Sequence, residues 1–434
     1  MALGGGTFTT MNKVLPGAYI NFVSSTGLAP VNVDRGVVAM AMDFDWGPEG
    51  EVFKVTQDDF YKNAWKYFGH AAEDEAMKPL RDLFMNAASA YFYRAQTGGA
   101  KAACTFATAK YPGTAGNRLK IVIRANEAST QQSPLYDVLT LADDIVVDTQ
   151  MAVSAMSGLV NNEYVDWKTS ATIAATAGTA LTSGTNGTSS ASTHQLFLDA
   201  IQNYQFNILG CYSTTAAIQA LYVAFTQRMR DQMGVKFQLV IHDYANADYE
   251  GVINVKNNTG LDLVPWVCGA EAACPLNRSI SNKVYDGEYD VSANYTQTQL
   301  EASLAAGEFV FHRVGDEFRV LQDIDTLVSY TTEKTDLFRE NQTIRVIDYI
   351  GNYVAGIFDT QYYGIVTNDA AGRNQLRGDI ITLLKNLQSM GAVIEFSTND
   401  VTVTAGEEKG VVIVTMAITV AGTMTKLYMT VVVN

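Results

Sequence analysis

The stretch that decides the fold runs from 410 to 434: GVVIVTMAITV (410–420), AGT (421–423), MTK (424–426) and LYMTVVV (427–433). Two runs rich in β-branched residues on either side of a short turn are typical of a β-hairpin. We therefore predict a terminal hairpin in which 411–420 pairs with 427–433. An uncharged edge strand of this kind readily pairs with another chain. The hairpin is thus expected either to be buried in its own domain or to pair with a neighbouring molecule.

The composition is that of a folded protein with several domains. The chain has 434 residues, of which 47% are hydrophobic and 17% charged, and this length allows about two to four domains. The formal net charge of −15 argues against direct binding to nucleic acid or anionic membranes. No apolar run approaches the roughly 20 residues that span a bilayer, and the start of the chain, MALGGGT, lacks the features of a secretory signal. The sequence predicts a protein that is made in a cytoplasm and stays soluble.

Four segments follow one another along the chain. Residues 1–26 have the glycines and the isolated short strand (18–23) of an arm. Residues 27–97 are rich in β patterns. Strands and helices then alternate through 98–320, which is typical of a parallel α/β sheet. In 321–434, two amphipathic helices at 336–363 and 374–390 precede the closing strands.

The sequence offers little for catalysis or for binding a metal. It contains no phosphate-binding glycine loop, zinc-protease motif or nucleophile elbow. Four cysteines are dispersed, which is typical of free buried thiols in a reduced protein: Cys104, Cys211, Cys268 and Cys274. The segment 186–190, NGTSS, is faintly similar to the nucleophile segment of subtilases, but His194 and His242 lack the surroundings of a triad histidine. We predict no catalytic residue, no cofactor and no metal, and keep a degenerate hydrolase as a rival interpretation.

Several blocks resemble contractile tail sheath proteins of phages and R-type bacteriocins. The opening LPGAYINF (15–22) resembles the family's Pro-Gly-x-Tyr-x-x-Phe start, and RGVVA (35–39) through DWGP (45–48) resembles its next block. The segment VSANYT (291–296), leading to AGEFVF (306–311), is similar to a later signature. GNYV (351–354), GR (372–373) and the closing strands resemble the C-terminal domain of the family.

This resemblance implies an α+β multidomain fold. The expected parts are an N-terminal linking arm (1–26), a β-sandwich-like domain (27–97) and a subtilisin-like α/β middle domain without a catalytic triad (98–320). A C-terminal α/β domain (321–434) would end in the terminal β-hairpin and carry a strand-exchange arm.

The resemblance also implies a structural function without enzymatic activity. Hexameric rings of the chain would stack as a helical sleeve around a tail tube and contract to drive the tube through a target cell envelope. The expected partners are further copies of the chain, the tail tube protein, and baseplate and tail terminator proteins, with no direct membrane insertion. The place of action would be a virion tail or bacteriocin particle assembled in the bacterial cytoplasm. A static capsid or shell protein that exchanges arms is the alternative.

The residues that would carry this function lie at both ends of the chain. Matching to the family predicts intersubunit strand exchange by Tyr19, Ile20, Phe22, Val23, Leu427, Met429, Val431 and Val433. The long C-terminal helices are candidates for contact with the tube, and their cations Arg373, Arg377 and Lys385 are predicted to face it.

Overall fold

The structure is a computed structural model that describes residues 35–431 and, before them, two short backbone strands at 5–6 and 18–19 that pair in parallel. The described chain divides into two compact units. Unit 1 comprises 1–38, 82–88 and 202–434, and unit 2 comprises 39–81 and 89–201.

Strands dominate the first half of the chain, and helices are more frequent in the second half. Up to residue 201 the elements are β1 (Gly5–Gly6), β2 (Ala18–Tyr19), β3 (Val37–Met42), β4 (Val52–Thr56), α1 (Gln57–Phe68), α2 (Lys78–Phe84), β5 (Ser89–Arg94), β6 (Lys101–Ala103), β7 (Ala107–Pro112), β8 (Leu119–Ala125), β9 (Tyr136–Ala142), β10 (Ile145–Val153), β11 (Val165–Trp167), β12 (Thr176–Ala180) and α3 (Ala191–Ile201). After it come β13 (Ile208–Cys211), α4 (Ala216–Gln227), β14 (Gln238–His242), β15 (Val252–Val255), α5 (Val264–Ala273), α6 (Gln297–Ala305), β16 (Glu308–Phe309), β17 (Phe311–Val314), β18 (Glu317–Val320), α7 (Asn341–Ile357), α8 (Ala370–Ser389), β19 (Val401–Ala405) and β20 (Val412–Met416).

Unit 2 is built mainly from antiparallel sheets. Strands β10, β9, β8 and β12 form one sheet, and β11, β7 and β6 form another. Alternate apolar side chains of these strands meet in a core that contains Trp46, Ile121, Val138 and Trp167. Burial of one face of each strand explains the alternating pattern of the sequence. Two sheets around a shared core give this unit a sheet-rich architecture.

Unit 1 contains a parallel sheet with the strand order β16-β15-β14-β13. All residues of β13, β14 and β15 are buried, as expected for parallel strands covered on both faces. Helices α4 and α5 lie between consecutive strands of the chain and pack on this sheet. The strand–helix–strand alternation predicted for 98–320 is therefore confirmed from α3 to β16, but it is wrong for 98–190, where strands and 3-10 turns follow one another without an α-helix. Strands β17 and β18 form an antiparallel hairpin.

The C-terminal part of unit 1 combines two helices with a two-stranded sheet. Helix α7 is prolonged by a π-helical turn over 358–362, and the Asp369 carboxylate caps the start of α8 by accepting from the Gly372 N–H. Apolar side chains of both helices and of β19 form one core, including Ile350, Ile380, Leu384 and Val401. The two predicted helices exist, but their first turns differ from the predicted 336 and 374. Residues 336–339 form a separate 3-10 turn, and α8 begins at 370 because Asp369 supplies the cap.

The prediction of the terminal hairpin is wrong about which segment pairs with 411–420. Strand β20 pairs with β19, which precedes it, and not with 427–433. The segment 421–431 has no strand or helix, and 432–434 lie outside the described residues. The turn 406–410, GEEKG, supplies a short connection between two β-branched runs, so the nearer run forms the pair.

Candidate assembly interface

The β19–β20 hairpin has a register that fixes which backbone groups face outward. Val401 lies opposite Met416 and Ala405 opposite Val412. At the two ends, the Ala417 N–H donates to the Asp400 carbonyl (2.9 Å) and the Gly406 N–H to the Val411 carbonyl (2.8 Å). Hydrogen-bonded pairs alternate in an antiparallel ladder. The N–H and C=O groups of 412, 414 and 416 therefore point away from β19.

The strand continues past β20, and its second partner lies on the same side as β19. The Ile394 N–H donates to the Thr419 carbonyl, the Ala421 N–H donates to the Ala392 carbonyl, and Val393 forms a bridge with Val420. The odd-numbered residues of 411–421 thus use their backbone groups toward 392–405. Among the residues that the structure describes, no strand pairs with the opposite edge. We call the outward backbone groups of 412, 414, 416 and 418 the free edge.

Side chains at the free edge are apolar and incompletely covered. Val412, Val414, Met416, Ile418 and Val420 all pack against the C-terminal core, yet each is only partly buried. Apolar side chains in this position are typical of a sheet that gains cover when another strand is added. The opposite face carries Thr402, Thr404 and Thr415, which are exposed.

The tail beyond residue 421 exposes large apolar side chains. The exposed fractions are 86% for Leu427, 90% for Tyr428, 74% for Met429 and 69% for Val431. Isolated exposed apolar residues are common on proteins, but a consecutive run of this kind marks an interaction segment. Of the predicted strand-exchange residues at this end, Leu427, Met429 and Val431 lie in this exposed tail, and Val433 lies outside the described residues.

Helix α7 anchors the C-terminal part through a polar face that bonds to segments around the parallel sheet of unit 1, which we call the central sheet. Asn341, Arg345, Asp348 and Asn352 recur at the spacing of one helix face. Arg230 donates to both carboxylate oxygens of Asp348, with Nη2–Oδ1 2.9 Å, and both side chains are buried. Asn352 exchanges two hydrogen bonds with the backbone of Lys236, at 3.0 and 2.7 Å. Burial and the charge of Arg230 lower the pKa of Lys236 to about 8.

The other half of this polar face is a buried network around Arg345. Its Nη2 donates to Glu271 (2.6 Å) and Asp323 (3.2 Å), and its Nη1 donates to the Arg278 carbonyl (2.8 Å). The amide of Asn341 donates to Asp323 at 2.7 Å. Burial, together with the charge of Asp323, raises the pKa of Glu271 well above its usual value. The Arg345 guanidinium thus lies between two buried carboxyl groups, and this attraction offsets part of the cost of burying its charge.

Two of the three cations predicted to face a tube bond to their own chain. The Arg377 guanidinium donates to the Val401 carbonyl (Nε–O 2.8 Å) and to the Thr398 carbonyl. The Arg373 guanidinium donates to the carbonyl (3.0 Å) and the side chain (2.9 Å) of Asn368. Lys385 is exposed on α8. The structure places all three on α8, and their contact with a tube stays a prediction.

The residues predicted for strand exchange at the N-terminal end are described least. Ala18 and Tyr19 belong to the short backbone strand β2, and Ile20, Phe22 and Val23 lie outside the described residues. The pairing of this arm with another molecule stays a prediction.

The described residues contain neither a candidate metal site nor a candidate membrane span. Within 35–431, no group of three or more His, Cys, Asp or Glu side chains is arranged to hold a metal ion. No helix there is both long and apolar enough to cross a membrane. Cys211, Cys268 and Cys274 are buried free thiols, and Cys104 is free and partly buried.

The sequence interpretation missed the polar face of α7. A signal was present, since four polar residues follow one stripe of a helix that was otherwise read for its apolar residues. Their partners are 18 to 118 positions away along the chain. The spacing alone does not show that the polar face of α7 is buried. That conclusion requires knowing that the helix packs against other parts of the chain on both faces.

Comparisons with known families match most of the chain. The phage tail sheath protein β-sandwich domain matches 97–186, the phage tail sheath protein central domain 187–326 and the phage tail sheath C-terminal domain 333–434. The family's β-sandwich thus falls on 97–186, whereas the sequence interpretation assigned a sandwich-like domain to 27–97. The four-part division of the chain stays a prediction.

Proteins of known structure and curated relatives agree with these matches. The sheath tail protein of Desulfitobacterium hafniense is 33% identical, with 90% of this chain and 93% of that chain covered and a TM-score of 0.77. The sheath tail protein of Listeria innocua is 28% identical, with the same shares covered and a TM-score of 0.78. The phage-like element PBSX protein XkdK of Bacillus subtilis (strain 168) is 29% identical over 475 residues, with both chains covered completely.

The multidomain α+β fold and these matches define a structural subunit of contractile tails. The chain belongs to the phage tail sheath protein family.

Proposed function

We propose that the chain polymerises by strand donation into hexameric rings that stack as a helical sleeve around a tail tube. The free edge of β20 carries this proposal. Its outward backbone groups lie beside half-covered apolar side chains, and the tail of the same chain exposes Leu427, Met429 and Val431. In strand addition, main-chain hydrogen bonds give affinity and alternate side chains give register.

The hairpin offers a second edge for the N-terminal arm. The backbone groups of Val403 and Ala405 point away from β20 by the same register, while the Val401 carbonyl accepts from Arg377. The arm (Tyr19, Ile20, Phe22, Val23) and the tail of neighbouring subunits would then extend one sheet on both sides. A four-stranded sheet of this kind joins three molecules through main-chain bonds.

Strand donation suits a sleeve that contracts. A donated strand acts as a tether, which survives a large rigid-body rotation while other contacts break and re-form. The polar face of α7 holds the tethered sheet on the central sheet of the same subunit, so force on the tail is transmitted to the whole of unit 1. Contraction would be driven by the difference in buried interface between the extended and contracted lattices, without consumption of a nucleotide.

The remaining parts of the proposal follow from family membership. The middle of the chain would be a subtilisin-like α/β domain without a triad, and the chain would not be an enzyme. The inner surface of the sleeve would contact the tail tube protein, and its ends would contact baseplate and tail terminator proteins. The particle would be a phage tail or a headless bacteriocin assembled in the bacterial cytoplasm, and contraction would drive the tube through a target cell envelope.

Deletion of 427–434 tests the proposal. The truncated chain is expected to be soluble and folded but unable to form tubes, since the described tail residues it removes are exposed. Negative-stain electron microscopy and sedimentation of the full and truncated chains give the readout. Tubes of uniform width from the full chain alone support strand donation. Normal tubes from the truncated chain contradict it, and closed shells from the full chain favour a static arm-exchanging shell protein.

A further inference from the structure

A cavity of about 460 Å³ opens in the C-terminal part of unit 1, beside the start of β20. Its apolar walls come from the π-helical turn after α7, from the loop that follows, from α8 and from β20: Phe358, Tyr362, Val366, Leu376 and Val412. Thr367, Asn368, Arg373 and Lys409 form the polar part of its lining. Next to it, Tyr363 and Ile365 are 52% and 68% exposed. A cavity of this size with apolar walls and a few polar groups is typical of a site that receives side chains of a partner.

The cavity lies on the core side of the hairpin. Val412, which lines it, is the first residue of the free edge and points its side chain toward the C-terminal core. A strand added along the free edge alternates its side chains between the two faces of the sheet. Every second side chain of that strand would therefore point toward the core, and the one opposite Val412 would point into the cavity.

The tail has the alternation that such a strand requires. Leu427, Met429 and Val431 share one face and are all apolar, while Lys426, Tyr428 and Thr430 share the other. Leu427 is the first apolar residue on this face, because the residues that precede it there are Thr423 and Thr425. Its side chain is 86% exposed, so its own subunit leaves it uncovered.

Leu427 of the same chain is too far from the cavity to fill it. The strand is fixed up to Ala421, whose N–H donates to Ala392. An extended chain from 421 to 427 reaches at most about 22 Å, whereas the strand from 412 to 421 spans roughly 30 Å. Leu427 in the cavity must therefore come from a second copy.

Charge favours the tail over the N-terminal arm as the occupant. The turn that leads into β20 carries the exposed acids Glu407 and Glu408 against a single cation, Lys409. Lys426 is the only charged residue between 421 and 431 and precedes Leu427 directly. The predicted arm 1–26 also carries one charged residue, Lys13, but it lies five positions before the short strand predicted at 18–23, whereas Lys426 directly precedes the apolar face of the tail.

We propose that the cavity is a socket for Leu427 from the tail of a second copy, with Lys426 of that tail against Glu407 and Glu408. This inference rests on the proposed strand donation and names the position at which the donated strand docks. These two contacts require the tail to run parallel to β20, with Leu427 opposite Val412 and Lys426 on the side of the acidic turn. Leu427 then fills apolar space that the isolated subunit leaves open, and Lys426 fixes the register of the strand by one charge contact at its start.

A labelled synthetic peptide of residues 422–434, titrated into the chain lacking 427–434, tests the socket by fluorescence anisotropy. The Leu427→Ala peptide is expected to bind at least about tenfold more weakly, because a buried leucine is lost. The Tyr428→Ala peptide, altered on the other face, should stay within about threefold.

A matched pair of receptor variants isolates the cavity. A Cβ added at Gly410, which lines the cavity, or at Gly378 on α8 meets no atom within 4 Å. Gly410→Trp should therefore obstruct the cavity and weaken binding at least about tenfold, while Gly378→Trp should leave it unchanged. The Lys426→Glu peptide should bind poorly to the parent receptor and regain affinity on the Glu408→Lys receptor.

The outcomes separate this proposal from strand donation itself. Binding that is insensitive to Leu427→Ala and Gly410→Trp overturns the socket and leaves strand donation standing. Absence of peptide binding also overturns the socket, while tube formation by the full chain still decides the proposed function. The full-length chain should also be tested at concentrations where it is monomeric. If it does not bind the peptide there, its own tail occupies the cavity, and the assignment to a second copy is overturned.

Discussion

Asp348 on α7 and Arg230, in the π-helical turn after α4, form a two-point ion pair that is buried on both sides. The pair joins the helix that carries the C-terminal core to the segment that leads into β14. Because a planar guanidinium meets both carboxylate oxygens, the contact fixes orientation as well as distance. In the proposed assembly, force on the tail would be transmitted to the central sheet through this ion pair.

Asp348→Ala is expected to destabilise the isolated subunit strongly. Removal of one partner leaves the Arg230 charge buried without compensation, which costs about 3–5 kcal/mol. Urea unfolding of the chain lacking 427–434, which is expected to stay monomeric, measures the change. Asp316→Ala is the control, because that carboxylate is fully exposed and its loss should change stability by less than about 0.5 kcal/mol. Equal stability of the two variants would show that the pair does not hold α7.

Val414→Pro should block polymerisation without unfolding the hairpin. The Val414 N–H points outward from the free edge, away from β19. Proline therefore removes a donor that the isolated subunit does not use in its own strand pairing. Val414→Ala is the control for lost side-chain packing and should still form tubes. Circular dichroism and electron microscopy of both variants provide the measurement. Tubes formed by Val414→Pro would rule out main-chain pairing at this position.

Charge reversal on α8 should separate stability from tube contact. Arg377→Glu loses two hydrogen bonds to backbone carbonyls of the segment around β19, so we expect a loss of about 1.5–3 kcal/mol. Lys385→Glu alters an exposed side chain and should leave stability within about 0.5 kcal/mol. If Lys385 faces the tube, its reversal should still reduce tube-dependent assembly. Unchanged assembly of Lys385→Glu on tubes would remove this residue from the interface.

His70 should give unit 2 a pH-dependent stability. Its Nε2 lies 2.9 Å from Asp45 and its Nδ1 3.1 Å from Asp74, and the hydrogen bond to Asp45 raises the pKa of the imidazole. This contribution is fully present below the unfolded value of about 6.5 and is lost as pH rises through the folded pKa. The stability lost in His70→Gln should therefore be larger at pH 6 than at pH 9.

His312→Gln provides the control for this pH dependence. Burial and the nearby charge of Arg319 lower the pKa of His312, so the stability that this imidazole contributes falls at low pH. The stability lost in His312→Gln should therefore be smaller at pH 6 than at pH 9. Urea unfolding of both variants at the two pH values measures the difference. An effect of His70→Gln that does not vary with pH would show that the imidazole is not held as a cation.

The sequence predicts the strand at 411–420 and both C-terminal helices because their apolar patterns are long and regular. It does not predict the partner of that strand. Two β-branched runs, 401–405 and 427–433, are both near enough to pair, and local sequence does not decide between them. The Asp348–Arg230 pair could not be predicted from the sequence for another reason. The two residues are 118 positions apart, and no local sequence pattern connects them.

The central claim is that a neighbouring chain pairs with the free edge of β20, and amide hydrogen exchange tests it most directly. Exchange at the N–H groups of Val412, Val414 and Met416 should be fast in the monomer and strongly slowed in assembled tubes. The N–H groups of Ile413 and Thr415 bond to β19 in both states and serve as the internal reference. Equal exchange at Val412, Val414 and Met416 in monomer and tube would contradict strand donation at this edge.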